Sequence, residues 1–300
     1  MKRIHDLFLL AREKRVNKTI AIASAEDENV LIAISKYYKL GLLSPVLIGD
    51  TAKISEILEK KKIDLPDNQF YPVSDHIESA RLAVELVKNG RADMLMKGLL
   101  PTKIFIQEIL NKESGIIVEG SISHVGLFES PFFPKIFGLT DAAINIAPGI
   151  GVKKQIIRNA VTTFADLGIR NPNVVLLAAI EKINPKMQAT IDAAELVKMH
   201  EEDPIAECIL EGPLALDVAV SEIAARHKGI TSKIAGSVDI LVVPEITVGN
   251  VFYKSLTYLG GAKAAGIIVG AKVPVVLSSR TDSEDSKFYS IALAYNLSNN

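Results

Sequence analysis

The chain of 300 residues has one cysteine, no tryptophan and an aromatic content of only 6%. Cys208 stands alone in the apolar stretch Ala206-Glu207-Cys208-Ile209-Leu210, so a disulfide framework and a cysteine zinc site are both excluded. Scarce aromatics leave few stacking platforms for single-stranded nucleic acid. The 34 Lys and Arg residues against 35 Asp and Glu give a formal charge of -1 with no long block of one sign, so nothing invites a polyanion. Apolar runs such as 174–180 fall far short of a membrane span. The first 15 residues mix both charges with a short apolar patch, which reads as an amphipathic helix and not a signal peptide. A Walker loop with Lys-Ser or Lys-Thr and a His-Glu-x-x-His zinc helix are missing, and Pro148-Gly149-Ile150-Gly151 lacks the third glycine of a dinucleotide fingerprint. These absences lead us to expect a cytoplasmic protein with no nucleic acid or membrane partner.

What is present is βαβ rhythm. A mean hydropathy of +0.25 fits parallel strands covered on both faces. β-like runs at 19–24, 45–49, 69–73 and 93–98 alternate with helix-period segments at 28–40, 77–88 and 102–110. The rhythm breaks between 115 and 148, where runs 125–128 and 135–139 flank Glu129-Ser130-Pro131, as in an antiparallel excursion or a domain junction. It resumes with helix 153–167, strand 174–179, helix 190–199, strand 208–210, helix 216–226 and strand 240–243. The length exceeds the usual single core, so two α/β domains are expected with a ligand cleft between them. The boundaries fall at 1–141 plus about 273–300 for the first domain and about 142–272 for the second.

Several strand-to-helix junctions carry polar residues suited to anions. Val273-Pro274-Val275-Val276-Leu277 stops at Ser278-Ser279-Arg280-Thr281-Asp282, which delivers hydroxyls and a guanidinium to the start of a helix, or simply caps it. Gly249 and Asn250 follow strand 240–243 and open a predicted helix with Lys254, as a phosphate cradle or as a capping turn. Met96-Lys97-Gly98 closes a strand, where Lys97 either holds an anion or is solvated. Asp217, after Gly212-Pro213, either orients a base or favours a helix dipole. Ser123-His124 and Thr140-Asp141 contain the ingredients of a hydroxyl, imidazole and carboxylate relay, with a structural role as the alternative. Glu181 and the run from Asn184 to Thr190 follow strand 174–179 and read as cleft lining or packing.

Taken together, these segments resemble the phosphate acetyl/butyryl transferases, and within them the butyryl enzymes. The resemblance rests on Lys97-Gly98 with Thr102, Ser123-His124-Val125, Thr140-Asp141-Ala142-Ala143, Asn184-Pro185-Lys186-Met187 with Ala189-Thr190 and Asp192-Ala193, Gly212-Pro213-Leu214-Ala215-Leu216-Asp217, Gly249-Asn250 with Tyr253-Lys254-Ser255-Leu256, and Val273-Pro274 leading to Ser279-Arg280 and Asp282. It implies a two-domain, mostly parallel α/β fold akin to isocitrate and isopropylmalate dehydrogenases. It also implies reversible transfer of a butyryl or branched short acyl group between coenzyme A and inorganic phosphate, giving acyl phosphate. The coenzyme A thioester is then a substrate, no cofactor is bound permanently, no metal is required, and a homo-oligomer is expected.

The family's catalytic Ser-Arg pair maps onto Ser279 and Arg280, and its downstream aspartate onto Asp282 or Asp285. Substrate contacts are implied for Lys97, Gly98, Ser123, His124, Asp141, Gly249, Asn250 and Lys254. Where the acetyl enzymes carry an arginine, 249–270 has none, and Lys254 or Lys263 stands as its replacement. The alternatives are a phosphate acetyltransferase using acetyl-CoA and a non-catalytic acyl-CoA or acyl-phosphate binding protein. A decarboxylating 2-hydroxyacid dehydrogenase is disfavoured because its metal-binding Asp cluster and adenine signature are not evident.

Overall fold

A computed structural model describes residues 1–65, 70–118, 120–277 and 283–298. The chain divides into two compact units, one of Met1–Ile4 with Gly120–Ala264 and one of His5–Glu119 with Ala265–Asn300. We call the first the mid-chain unit and the second the split unit. No helix among the described residues is long and apolar enough to cross a membrane.

The split unit begins with α1 (Asp6–Lys14), β1 (Lys18–Ala23), α2 (Glu28–Lys39), β2 (Leu43–Gly49), α3 (Thr51–Lys61), β3 (Phe70–Pro72), α4 (His76–Lys88), β4 (Met94–Lys97) and α5 (Thr102–Ile109). The mid-chain unit follows with β5 (Ser123–Glu129), β6 (Phe137–Thr140), α6 (Ile150–Asp166), β7 (Asn173–Leu177), α7 (Gln188–Glu202), β8 (Ile209–Leu214), α8 (Leu216–Val220), α9 (Glu222–Lys228), β9 (Ile240–Val242) and α10 (Ile246–Lys254). After a π-helical turn at Ser255–Leu259, β10 (Lys263–Val269), β11 (Val275–Val276) and α11 (Glu284–Leu297) complete the split unit.

Strands of the split unit run in the order β3-β2-β1-β4-β11-β10. All neighbours are parallel except β10 with β11. Aspartates open α2, α3 and α4: Asp27, Asp50 and Asp75 each accept first-turn amides through their carboxylates, which offsets the orphan donors there. In the mid-chain unit the order is β5-β6-β9-β7-β8, with β5 and β6 antiparallel and the rest parallel. The break in rhythm read from the sequence is therefore an antiparallel pair. Strand 208–210 is longer than expected and holds Gly212 and Pro213 inside β8 instead of after it. Proline fits there because β8 lies at the end of the strand order, where an edge position needs one donor fewer.

Two buried lysines lock α11 into the split unit. Lys18, only 1% exposed, donates to the Ser298 carbonyl (2.6 Å), the Tyr295 carbonyl (3.3 Å) and Ser298 Oγ (2.9 Å), so a cation meets the negative end of the helix. Lys287, also 1% exposed, reaches both carboxylate oxygens of Asp27 at 3.2 Å. Lys18→Met keeps the aliphatic stem and removes the charged donor. We expect it to lower unfolding free energy by about 1.5–3 kcal/mol, the usual worth of a charged hydrogen bond. The check is urea denaturation, and an unchanged midpoint would show that the clamp contributes nothing.

Candidate functional site

The strand order of the split unit reverses beside β1, with β2 on one side and β4 on the other, and a crevice outside the carboxyl ends of such strands is where open α/β sheets take ligands. Lys97 lies in register with Ala23 at this edge. It is 3% exposed, so it is not a solvated lysine, and its Nζ donates to the carbonyls of Gly98 (2.9 Å) and Leu100 (3.2 Å). Gly98 is a glycine for steric reasons: a Cβ there would come within 2.0 Å of the Ser24 carbonyl oxygen. That carbonyl accepts the Leu99 amide at 2.7 Å, and Ser24 Oγ pairs with His76 Nδ1 at 2.9 Å.

The corresponding edge of the mid-chain unit is organised by Asp141, 2% exposed. Its carboxylate accepts the amides of Ala143 (2.9 Å), Ile144 (3.0 Å) and Asn145 (3.2 Å) and the side-chain amide of Asn145 (2.7 Å). Asn145 also donates to the Ile122 carbonyl at 2.9 Å, which ties the loop back to the residue before β5. His124, 5% exposed, is the second residue of β5, and its carbonyl accepts Thr140 Oγ1 at 2.7 Å. Its ring meets Tyr253 of α10 edge-on at 5.9 Å, and burial pushes the imidazole pKa down from 6.5 while the Asp141 charge opposes that.

Ser123 faces the opposite way from His124, as alternate residues of a strand must. It is fully buried, with Oγ accepting from Asn159 of α6 at 3.0 Å. The hydroxyl, imidazole and carboxylate therefore form no relay, and Ser123 anchors β5 to α6. Gly249 is also placed differently from expectation. The helix opens at Ile246, and Glu245 accepts the amides of Thr247 and Val248, so an anionic cap already occupies the donors a phosphate would use. Gly249 instead lets α10 press on the Asp141 loop, since a Cβ would lie 2.6 Å from the Asp141 carbonyl oxygen. Asn250 reaches the Ala142 carbonyl at 3.4 Å, and Lys254 is exposed one turn further along the helix.

The structure thus brings His124, Asp141, Gly249 and Asn250 together, and Lys97 and Gly98 together in the other unit. Asp285 lies in the first turn of α11 and is exposed, not in the preceding loop. Ser279, Arg280 and Asp282 lie outside the described residues. Asp217 is an exposed first-turn residue of α8 and pairs with Lys228 at 2.9 Å; that hydrogen bond holds its carboxyl below the usual range. Asp192 is held in the interior by Lys153 (2.5 Å) and Gln188 (2.7 Å). No group of three or more metal-binding side chains occurs among the described residues. Sequence reasoning missed Asn145 and the role of Tyr253. The spacing Asp141 to Asn145 was the available signal, because a carboxylate followed closely by free amides forms an Asx-type turn.

A chain of two compact α/β units with polar residues gathered at strand ends fits an enzyme of small anionic substrates, and comparison narrows the class. The phosphate acetyl/butaryl transferase family model matches residues 72–295. A phosphate butyryltransferase of Clostridium acetobutylicum is 43% identical, covering 98% of this chain and 97% of its own. A branched-chain phosphotransacylase from Enterococcus faecalis V583 is similar in structure, with a TM-score of 0.82 at 39% identity, covering 93% of this chain and 98% of that one. A 4-hydroxythreonine-4-phosphate dehydrogenase from Klebsiella pneumoniae shares the fold alone, at TM-score 0.53 and 13% identity, covering 92% and 98% of the two chains. The chain belongs to the phosphate acetyl/butyryl transferase family and is an acyltransferase.

The close approach at Gly249 can be tested against an unconstrained glycine. Gly249→Ala should cost about 1–3 kcal/mol, the range for overpacking a tight contact. Gly151→Ala, in the first turn of α6, should leave the thermal midpoint unchanged or raise it, since nothing lies within 4 Å of the added Cβ and alanine is the better helix former. Equal midpoints for both variants would show that α10 is not pressed on the Asp141 loop.

Proposed function

We propose that this protein transfers a butyryl or branched short acyl group reversibly between coenzyme A and inorganic phosphate. The observation that carries the reading is 43% identity to a phosphate butyryltransferase over nearly the whole of both chains. The likeness to a branched-chain phosphotransacylase supports the acyl preference. On this reading the two compact units are the two domains of an isocitrate/isopropylmalate dehydrogenase-like fold. Exposed Val248 and Val251 on α10, followed by Tyr258 and Leu259, support the expected homo-oligomer.

The chemistry asks for little apparatus. A phosphate oxygen attacks the thioester carbonyl, charge collects on the carbonyl oxygen, and the C–S bond breaks to release the thiolate. Ser279 and Arg280 are proposed as the catalytic pair, Arg280 gripping phosphate with its planar fork and Ser279 donating to the oxyanion or the sulfur. Asp282 or Asp285 is proposed as the base that takes the thiol proton in reverse. Lys97 supports an anion site at the split-unit edge, because a buried ammonium stands there at the strand end.

Phosphate-dependent thiol release should be faster with butyryl-, isobutyryl- and isovaleryl-CoA than with acetyl-CoA. A specificity constant at least tenfold higher for acetyl-CoA would overturn the acyl assignment. Arg280→Lys keeps the charge but loses the fork. It should reduce kcat/KM for phosphate roughly tenfold to a thousandfold, about 1.4–4 kcal/mol of transition-state stabilisation, with folding barely changed. Near-wild-type kinetics at low phosphate in both Arg280→Lys and Arg280→Ala would remove the pair from the mechanism.

A further inference from the structure

The split unit has a hollow of about 730 Å³ at the amino ends of β1 and β2, opposite to the edge where Lys97 and Gly98 stand. One wall is α1, where Leu9, Arg12 and Glu13 share a face at i, i+3 and i+4 spacing. The other is Leu40-Gly41-Leu42, between α2 and β2, and Arg15, just past α1, completes the lining. These walls are held in place. Gly41 donates its amide to the Tyr38 carbonyl at 2.8 Å and accepts Asn17 Nδ2 on its own carbonyl at 3.0 Å, while the Leu42 carbonyl accepts the Lys18 amide at 3.0 Å. Beside Arg15, the Tyr295 hydroxyl of α11 accepts the Val16 amide at 3.1 Å and donates to the Val16 carbonyl at 2.5 Å. A ligand entering here meets a preformed surface and orders little backbone on binding.

The groups that line it are unengaged. Neither guanidinium makes an ion pair or a hydrogen bond among the described residues, and neither does the Glu13 carboxylate. Arg12 rests over the Phe8 ring at 5.8 Å, which steadies its stem and leaves its donors open. Leu9 and Leu40 are exposed. Two guanidiniums against one carboxylate give a local excess of positive charge in a chain of formal charge -1. This set discriminates between ligands. A bare inorganic anion would meet the arginines and leave the leucines uncovered. A fatty acid would cover the leucines, but it brings no donor for Glu13 and its carboxylate repels that side chain. A nucleoside phosphate answers all three, with phosphate oxygens for the planar forks, an apolar base face for Leu9 and Leu40, and hydroxyl or amino donors for Glu13. The volume lies within the roughly 300–1,000 Å³ usual for a ligand of that size.

We propose that the hollow at the amino ends of β1 and β2 binds a free nucleoside monophosphate, with its phosphate on Arg12 and Arg15 and its base against Leu9 and Leu40. The length of β1, six residues or about 20 Å, separates this site from the carboxyl edge. Side-chain guanidiniums hold the phosphate here, so the absence of a Walker loop from the sequence is no obstacle.

The probe is AMP, titrated into the ¹⁵N-labelled full chain while NMR follows the amides of Gly41 and Leu42. Saturable shifts at both are expected. Combining Arg12→Gln with Arg15→Gln should weaken AMP binding about tenfold or more, the worth of one charged hydrogen bond. Both arginines are exposed and have no polar partner to lose, so the thermal midpoint of the double variant should match the wild type. Leu40→Asp, which sets a carboxylate in the base and phosphate site, is a second variant with the same expected loss. No saturation by AMP at millimolar concentration in the wild type, or unchanged affinity in the folded variants, overturns the proposal. Inorganic phosphate or octanoate binding as tightly as AMP at the same amides would make this a plain ion site or an acyl-anion site, and overturns it too. Coenzyme A binding there more tightly than AMP would give the hollow to the nucleotide end of that larger molecule, which also contradicts a site for the free nucleotide.

Discussion

The carboxyl edge of the mid-chain unit depends on one buried carboxylate. Asp141 gathers the amides of Ala143, Ile144 and Asn145 into a tight turn, and Asn145 ties that turn to Ile122. A buried charge of this kind is tolerable only when its lone pairs are filled, and four donors fill them. With the loop so fixed, Gly249 brings α10 against its backbone, and α10 in turn sets Tyr253 against His124. Remove the carboxylate and the turn, the helix contact and the ring contact lose their common reference.

The split unit reaches a similar result by a different route. Gly98 permits β4 to end against the Ser24 carbonyl, and Lys97 folds its ammonium back onto the carbonyls of its own loop. α11 is held from both ends, by Lys287 on Asp27 near its start and by Lys18 on its last carbonyls. Those contacts hold α11, the helix that follows the proposed Ser279-Arg280 pair in sequence.

Much of this fold was legible because its signals are local. Alternation of apolar runs with helical periods gave the βαβ order, and the break near Glu129 marked the antiparallel pair of β5 and β6. The errors share a cause, which is contact between residues distant in sequence. Gly249 looks like a phosphate-loop glycine until Glu245 caps the helix and Asp141 proves to be its neighbour. Ser123 looks reactive beside His124 until strand pleating turns it onto Asn159. Pro213 looks like a strand stop until β8 is seen to lie at an edge. The unpaired nitrogen of His124 was not legible, since it is a property of surroundings and not of sequence.

The central claim is acyl transfer between phosphate and coenzyme A, and running the reaction from butyryl phosphate tests it most directly. Incubation with free coenzyme A, followed by ³¹P NMR for phosphate and absorbance for thioester, should show one thioester formed for each phosphate released, with neither product when coenzyme A is left out. Phosphate released without thioester would mean that water, not the thiol, accepts the acyl group, and would contradict the account.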